Sequence, residues 1–280
     1  MSGARGLDPP VPPGLHGSAA SFTDRTGRGL YVYCITEAEE PLDLGLAGLG
    51  EGGGPVFSVH HGGLAAVVSE ALPIECRPTR ENLLTHELVN EAVMRRHASI
   101  PLSFGTLFGT EADVAAMLRS AGGALSEILG VVRGKIELGL KVTWDREKAL
   151  AQLEAEDPEL RELKGEIGRV VGGSPYASRA RFGRLVERAL EARGAQLTRS
   201  VYEALQPLAV ATRANKLVGD DMILNAAFLV ESAREDDFNR AVEGLTSRYG
   251  DVLAFRYTGP WPPYSFVNLR LKLESEQGTG

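Results

Sequence analysis

The sequence predicts an α+β protein of two domains, the second with the split βαβ order of a ferredoxin-like domain. Three observations lead to this prediction. Apolar runs rich in β-branched and aromatic residues alternate with amphipathic helical segments. The order in the second half is strand, helices, strand, strand, helix, strand. Hydrophobic residues make up 43% of the 280 positions, which is enough apolar material for two cores of ordinary size.

The two chain ends are expected to lie outside these domains. Residues 1–28 contain four prolines among glycine, serine and polar residues: Pro9, Pro10, Pro12 and Pro13. Such a composition buries too little apolar surface to offset the entropy of ordering, so it predicts a disordered tail. Residues 274–280 are expected to form a flexible C-terminus.

Residues 29–133 are expected to form the first and smaller α+β domain. Thr110, followed by Asp113 three residues later, is typical of a helix N-terminus. The predicted elements are a strand at LYVYCI (30–35), two short strands around His61, Gly62 and Gly63, a helix over 79–97, a strand over 100–108 and a helix from Thr110.

Residues 134–273 are expected to form the ferredoxin-like domain, with a long helical hairpin inserted at 145–208. The hairpin is longer than one crossover needs. Its two helices are expected to bury each other, and a docking arm is the alternative. The other predicted elements are strands at 135–144, 209–218, 222–230 and 251–258, and a helix that begins with a capping box of Ser232 and Glu235 and ends at Gly250.

Charge and cysteine content exclude several classes of protein. The formal net charge is −7, so there is no excess of cations to neutralise nucleic acid or anionic lipid. Cys34 and Cys76 match no CxxC pattern, and neither a disulfide framework nor a zinc site is expected. No apolar run approaches the roughly 18 to 20 residues of a membrane span. A reducing cytoplasm is the expected location.

The sequence offers no catalytic, cofactor-binding or metal-binding motif in a suitable context. GLGEGGG (48–54) contains the glycine spacing of a dinucleotide loop but precedes a strand rather than a helix, so we interpret it as a flexible loop. His86 and Glu87 begin a zincin pattern, but Asn90 stands where the second histidine is required. We therefore predict no cofactor, no metal and no enzymatic activity.

An aromatic and proline-rich segment, FRYTGPWPPYSFVNL (255–269), lies near the C-terminus. Its prolines cannot donate to a sheet, so residues 259–263 are predicted to form a stiff, non-helical crossing that is not a central strand. Trp261 and Tyr264 have two interpretations. They either fold back as a plug over the sheet or form an aromatic ledge that meets a partner.

Six segments of the chain resemble the GvpL/GvpF family of gas vesicle proteins. They occur in family order within residues 29–271, and the last is the most specific because its composition is so unusual. They are LYVYCI, HELVNEAVM at 86–94, PLSFGTLF at 101–108, GKIELGLKV at 134–142, LNAAFLV at 224–230 and TGPWPPYSFV at 258–267. The chain departs from the family at Ser103, where members often carry arginine.

The resemblance implies a two-domain α+β protein that takes part in the assembly of gas-filled vesicles, without catalysis or cofactor. The implied partners are the small hydrophobic shell protein and other gas vesicle accessory proteins in the cytoplasm. Six residues are candidates for partner binding: Trp261, Tyr264 and Arg256 near the C-terminus, and Arg161, Lys164 and Arg169 in the hairpin.

Two other classes of function are alternatives to assembly. A ferredoxin-like domain is also suited to a small-molecule-binding regulatory module, which a buried polar cluster in a cleft between the domains would favour. RNA binding is opposed by the net charge and by the lack of an aromatic strand motif.

Overall fold

The computed structural model describes residues 27–50, 52–169 and 176–267, without the side chains of residues 73, 74, 167–169 and 176–178. The predicted flexible C-terminus and nearly all of the predicted tail lie outside these residues. The described chain is a mixed α/β protein with two antiparallel sheets and six α-helices. It divides into two units, Met1–Glu137 with Pro260–Gly280 and Leu138–Gly259.

The first unit contains a sheet with the order β2-β3-β1-β4, and β5 also pairs with β1. All of its described pairings are antiparallel. Its elements are β1 (Gly29–Glu37), β2 (Phe57–His61), β3 (Leu64–Ala71), a 3-10 helix (Pro73–Cys76), α1 (Arg80–Met94), β4 (Ser99–Pro101), β5 (Leu107–Phe108) and α2 (Glu111–Val132).

Local sequence signals account for several boundaries in this unit. Gly62 and Gly63 have φ values of 59° and 82°, as a two-residue hairpin turn between β2 and β3 requires. The Thr79 hydroxyl accepts the Asn82 N–H at the start of α1. Thr110 and Asp113 exchange the two hydrogen bonds of a capping box at the start of α2. The Thr110–Asp113 helix start and the turn between the two short strands are confirmed, whereas the Thr79 cap is an additional feature of the structure.

The central strand β1 separates two apolar clusters, because alternate side chains of a strand point to opposite faces. Leu30 and Val32 belong to a cluster that contains residues of α2, whereas Tyr31 and Tyr33 belong to a cluster that contains Val89 of α1. Every residue of β1 except the last is buried. The sheet is therefore covered on both faces.

The predicted strand over 100–108 is two short strands with a turn between them. Gly105 has a φ of 91°, a conformation that extended strands do not contain. The Thr106 N–H donates to the Ser103 carbonyl at 3.3 Å, which closes the turn. The prediction of one strand was wrong, because the apolar residues on either side of Gly105 belong to two separate strands.

The glycine-rich segment 48–54 is a packed turn in its described residues, not the flexible loop that we expected. Leu49 is 1% exposed, and its N–H donates to the Tyr33 hydroxyl at 3.1 Å. A Cβ on Gly48 would lie 2.4 Å from the Ser69 Cβ. Glycine at position 48 therefore permits a close approach of the backbone to β3.

The second unit is built on a sheet with the order β7-β8-β6-β9. The unit boundaries fall within β6 and β9. The elements are β6 (Lys135–Trp144), α3 (Arg146–Glu156), α4 (Pro158–Arg169), α5 (Tyr176–Leu205), a 3-10 helix (Gln206–Leu208), β7 (Ala211–Ala214), β8 (Met222–Glu231), a 3-10 helix (Ser232–Arg234), α6 (Glu235–Tyr249) and β9 (Leu253–Trp261).

The predicted helical hairpin consists of three helices, because its first arm breaks at Asp157. The Asp157 carboxylate accepts the Glu159 N–H at 2.9 Å, and Pro158 begins α4. Leu160 and Leu163 of α4 and Leu190 of α5 are buried. These burials support the interpretation in which the helices cover each other.

The predicted capping box at the start of α6 is not formed. Ser232 belongs to a 3-10 helix, and the N-cap is Arg234, whose side chain makes no capping hydrogen bond. The final strand differs less from expectation. It continues through Pro260 to Trp261, but it does so as an edge strand, the position in a sheet that tolerates proline.

One helix among the described residues, α2, is long and apolar enough to cross a membrane by length and composition alone. This differs from the prediction that no apolar run approaches the length of a membrane span. Five alanines help to raise the average hydropathy of α2, although it also carries Arg119 and Glu127. Its larger apolar residues, including Val114, Leu118 and Leu125, lie in the core of the first unit. Core helices commonly satisfy the same criterion.

Both cysteines are free thiols, as predicted. Burial raises the pKa of Cys34 far above its usual value and that of Cys76 to about 11. At neutral pH both thiols are therefore protonated and react slowly.

We expect intact-protein mass spectrometry of the native chain to show two free thiols. Alkylation should modify half-buried Cys76 first, and Cys34 only after unfolding, because Cys34 is inaccessible in β1. A native disulfide between the two would contradict this prediction.

Candidate functional site

Residues 260–267 fold onto the first unit, and we call them the C-terminal strap. Two hydrogen bonds hold the strap near its middle. The Ser265 N–H and the Ser265 hydroxyl each donate to the Glu137 carboxylate at 2.6 Å. Glu137 is only 4% exposed. Val267 packs against the apolar cluster that contains α2. The sequence-based division placed this segment in the second domain, but its contacts group it with the first unit.

The strap also contacts a buried polar cluster, which we define as Tyr31, His86, Glu87, Asn90 and Tyr264. The Tyr31 hydroxyl lies 2.9 Å from His86 Nδ1. The Asn90 side-chain amide donates to the His86 backbone carbonyl at 2.9 Å. The Tyr264 ring is tilted against the His86 ring with their centroids 6.4 Å apart. The cluster therefore joins β1, α1 and the strap.

Both ring nitrogens of His86 have polar neighbours. The Tyr31 hydroxyl lies 2.9 Å from Nδ1 and accepts the Gly105 N–H at 3.2 Å. The Asn90 side-chain nitrogen lies 3.2 Å from Nε2, and the ring also interacts with the Leu102 carbonyl. Burial lowers the His86 pKa to about 4, so the imidazole is neutral at neutral pH.

The Glu87 carboxyl is the least well satisfied group of the cluster. Its Oε2 and the Tyr264 hydroxyl oxygen are both enclosed, and neither has a regular hydrogen bond within the described residues. The two groups are nevertheless close enough to interact. Burial is the main cause that raises the Glu87 pKa to about 7, with the negative charges of Glu91 and Glu137 adding to it. Glu87 is thus partly protonated at neutral pH.

The sequence-predicted candidates at the C-terminal end do not form an open ledge. The Tyr264 hydroxyl and the Trp261 indole N–H are both enclosed, and Pro262 and Pro263 are buried. These positions support the plug interpretation. The plug was expected on the sheet of the second domain, but its residues group with the first unit. Arg256 lies on the exposed part of β9.

The hairpin candidates lie on α4. Arg161 and Lys164 are exposed, and each already interacts with the hairpin itself. The Arg161 side chain donates to the Ala155 carbonyl at 3.2 Å, and Lys164 forms an ion pair with Glu154. Arg169 ends α4, and its side chain lies outside the description.

A groove on the outer face of α1 is absent from the sequence-based predictions. Leu84 and Leu88 were assigned to the same apolar stripe as Val89 and Val93. Val89 and Val93 are buried, but Leu84 is 40% and Leu88 52% exposed. The stripe was too wide for one buried face, since Leu88 and Val89 differ by about 100° around the helix. That excess width is the signal that could have revealed the groove.

We define the α1 groove as the depression between α1 and the chain at residues 43–46. Leu44 and Leu46 line one side, and Leu88 and Ala92 line the other. Four charged residues also line it: Asp43, Glu91, Arg95 and Arg96. The lining is therefore half apolar and half charged, and two of its charges, Glu91 and Arg95, form an ion pair with each other. Within the described residues, no cluster of three potential metal ligands occurs here or elsewhere.

Comparisons with known proteins agree over nearly the whole described chain. The profile of the family described as gas vesicle synthesis protein GvpL/GvpF matches residues 29–268. Gas vesicle protein F of Streptomyces sp. (strain CB03234) is 34% identical over 238 residues, which cover 85% of this chain and 98% of that protein. Gas vesicle protein L1 of Halobacterium salinarum is 22% identical over 255 residues, 85% of this chain and 90% of that protein.

Two solved structures are similar to this chain. The crystal structure of gas vesicle protein GvpF from Anabaena sp. PCC7120 has a TM-score of 0.73 and 26% identity, and the match covers 86% of this chain and 99% of that one. The crystal structure of GvpF from Microcystis aeruginosa has a TM-score of 0.68 and 28% identity over the same shares of each chain.

Proposed function

The chain belongs to the GvpL/GvpF family of gas vesicle proteins, and we propose that it is an accessory or minor structural protein that binds the hydrophobic shell protein and supports vesicle assembly. The observation that carries this proposal is the family match over residues 29–268. Other gas vesicle accessory proteins are proposed as further partners, and the cytoplasm as the site of assembly.

The surface of the first unit supports a role in binding an apolar protein. A shell protein that associates through apolar surfaces needs those surfaces covered until it is incorporated. The α1 groove offers the exposed Leu88 and the half-buried Leu44 and Leu46 for such a contact. No catalytic group is required for this role, and we propose that the protein is not an enzyme.

A finer description of the architecture is also a proposal. The second unit has the strand order expected for a ferredoxin-like domain, with α3, α4 and α5 between its first two strands and α6 between its last two. The helices of the hairpin would then be an insertion into that fold. We propose that the strap, with Trp261 and Tyr264, fixes the first unit rather than binding the shell protein directly.

Co-purification is the direct test of the proposed function. A tagged full-length chain, co-expressed with the shell protein of its own gas vesicle gene cluster, should retain that protein on an affinity column. Deletion of this chain's gene should reduce or abolish vesicles, and the intact gene should restore them. Failure to retain the shell protein, together with normal vesicles in the deletion strain, would refute the proposal.

The hairpin cations remain candidate contacts. If α4 binds the shell protein, reversing the charges of Arg161, Lys164 and Arg169 to glutamate should weaken co-purification several-fold. Because Arg161 and Lys164 are exposed, each reversal should change the free energy of unfolding by less than about 1 kcal/mol. Arg119→Glu on α2 is a matched control. Equal retention by the triple variant and the control would remove the hairpin from consideration.

The alternative function is a small-molecule-binding regulatory module. The buried polar cluster is the feature that such a ligand would use. Its histidine is already hydrogen-bonded and is covered by the strap, which favours a structural role. A saturable thermal shift with a small metabolite would support the alternative.

A further inference from the structure

Residues 210–218, which we call the β7 edge, form an open side of the sheet in the second unit. β7 is the outermost strand of that sheet. The Val210 N–H donates to the Leu229 carbonyl at 2.7 Å. The Asn215 N–H donates to the Asn225 carbonyl at 2.7 Å, so the segment follows β8 along its inner side. Among the described residues, no strand pairs with its outer side.

The backbone groups of Thr212 and Ala214 face the outer side of β7. Alternate residues of an antiparallel strand direct their N–H and C=O groups to the same neighbour. Arg213 is paired with Ala227, and Asn215 is bonded to β8, so the residues between and before them point away from β8. Ala214 is also exposed. These backbone groups are therefore available to a further strand.

The other edge strands of the two sheets carry features that block a further strand. β4 contains Pro101 and β9 contains Pro260, and proline on an edge prevents pairing. β2 is bordered by residues 38–46, since the Leu42 N–H donates to the Ser58 hydroxyl oxygen at 2.9 Å. β7 contains no proline. The β7 edge is thus the most open of the four.

We propose that the β7 edge pairs antiparallel with the β7 edge of a second copy of this chain, about a two-fold axis at Ala214. Ala214 would face its own counterpart, and the two residues would exchange both N–H to C=O hydrogen bonds. The sheets of the two second units would join into one. This inference goes beyond the proposed function, because self-association requires no other gas vesicle protein.

The two-fold axis matches the exposed apolar residues of the edge with one another. In this register, the residue four positions before Ala214 faces the residue four positions after it in the second copy. Val210 and Val218, which are 55% and 68% exposed, would therefore cover each other at both ends of the interface. Leu217, which is 47% exposed, would face Ala211. Each exposed apolar residue of the edge gains an apolar neighbour.

The polar residues of the edge match in the same register. Lys216 would face Thr212, and Arg213 would face Asn215, so each cation meets a side chain that accepts hydrogen bonds. No cation directly opposes a like charge, an arrangement that destabilises strand pairs. The edge is therefore complementary to itself, which favours a second copy over an unrelated strand.

Sedimentation velocity of the full chain is the first test. At about 0.15 M salt, charges more than about 8 Å apart are largely screened, so the net charge of −7 on each copy should not prevent association. The chain should change from monomer to dimer as its concentration rises. A chain that stays monomeric at its highest soluble concentration would overturn the proposal.

Two substitutions locate the interface. Val218→Asp should weaken dimerisation at least about tenfold, because the interface would bury an unpaired carboxylate. Ala214→Pro should abolish the dimer, since proline removes the N–H at the axis. The matched control is Val131→Asp, at an apolar residue of α2 that is 60% exposed, and it should dimerise as the wild type does. Circular dichroism should show all three variants folded, because these side chains are exposed in the monomer. A dimer that neither substitution weakens would show that the β7 edge is not the interface.

Cysteine substitutions test the register. Ala214→Cys should form an intermolecular disulfide under mild oxidation, because the facing Cα atoms would be about 5.5 Å apart. Thr212→Cys should not, because its counterpart would lie at least about 13 Å away, four residues along the strand. The wild type controls for Cys34 and Cys76, which are buried and half-buried. Equal cross-linking of both variants would contradict the two-fold axis at Ala214.

A charge exchange tests the same register without oxidation. Val210→Lys and Val218→Glu should each weaken the dimer. Together in one chain they should restore its affinity to within about threefold of the wild type, because each new cation faces a new carboxylate across the axis. A double variant that is weaker than both single variants would rule out this pairing.

A strand of a different protein is a separate outcome. If the chain is monomeric, but Val218→Asp abolishes co-purification with the shell protein, the edge binds a partner strand and the proposal is wrong. Shell-protein co-purification also separates this inference from the proposed function. A monomeric chain that retains the shell protein contradicts only the dimer, whereas a dimeric chain that does not retain it contradicts only the function.

Discussion

Tyr264→Ala is expected to lower the free energy of unfolding of the first unit by about 3 kcal/mol, because it removes a large, mostly buried ring. That ring covers His86 and places its hydroxyl beside Glu87. Its loss should also release the strap, although Ser265 would keep its bonds to Glu137. Urea denaturation measures the loss, and hydrogen exchange of the α1 amides shows where the protection decreases.

Tyr264→Phe is the matched control for this prediction. It keeps the ring and removes only the hydroxyl, so the cost should be about 1 kcal/mol. If Tyr264→Ala is as stable as the phenylalanine variant, the strap does not stabilise the first unit. A stable alanine variant that no longer supports vesicle formation would instead favour the ledge interpretation of the aromatic segment.

Local signals in the sequence were sufficient for most individual elements. The cap of α2 and the Gly62–Gly63 turn depend on residues within a few positions of one another. Such short-range preferences act before any tertiary contact forms. The amphipathic segments of the second half likewise predicted helices. The prediction did not include the break at Asp157, which Pro158 causes.

Long-range contacts could not be predicted in the same way. The bond between Glu137 and Ser265 joins residues 128 positions apart, and nothing in the intervening sequence indicates it. This bond holds the strap on the first unit together with the contacts of Tyr264 and Val267. The exposure of Leu84 and Leu88 also depends on which face of α1 the sheet covers, and the apolar pattern alone allowed either face.

The buried cluster illustrates the same limit for chemistry. From the sequence alone, only an incomplete zincin motif is evident at His86, Glu87 and Asn90. Their surroundings come from β1 and from the strap, since Tyr31 and Tyr264 complete the cluster. A single sequence shows which polar residues a helix carries, but not which of them become enclosed.

The stability of the first unit should depend on pH through Glu87. Its pKa is about 7 in the folded protein, compared with an ordinary value of 4.5. Below about pH 4.5 the carboxyl is protonated in both the folded and the unfolded chain, and its full stabilising contribution is present. As pH rises towards 7, only the unfolded chain readily loses the proton, so that contribution is lost. Above pH 7 the loss remains constant.

His86 acts in the opposite direction over a similar range. Burial lowers its pKa from 6.5 to about 4, so the unfolded chain takes up a proton first as pH falls. Stability that depends on neutral His86 is present above about pH 6.5 and is lost towards pH 4. The two effects partly cancel in the wild type. A single pH profile of the wild type therefore cannot separate them, and a variant is required.

Glu87→Gln isolates the carboxyl, because glutamine cannot ionise and His86 is unchanged. At pH 8 the variant should be more stable than the wild type by as much as about 3 kcal/mol, the free energy that corresponds to the pKa shift. The difference should shrink as pH falls and approach zero near pH 4.5. Urea denaturation at pH 4.5, 6 and 8 measures it, with Glu127→Gln on the exposed face of α2 as a control that should show no such trend. A difference that is independent of pH, or a less stable variant at pH 8, would show that Glu87 is not held protonated beneath the strap.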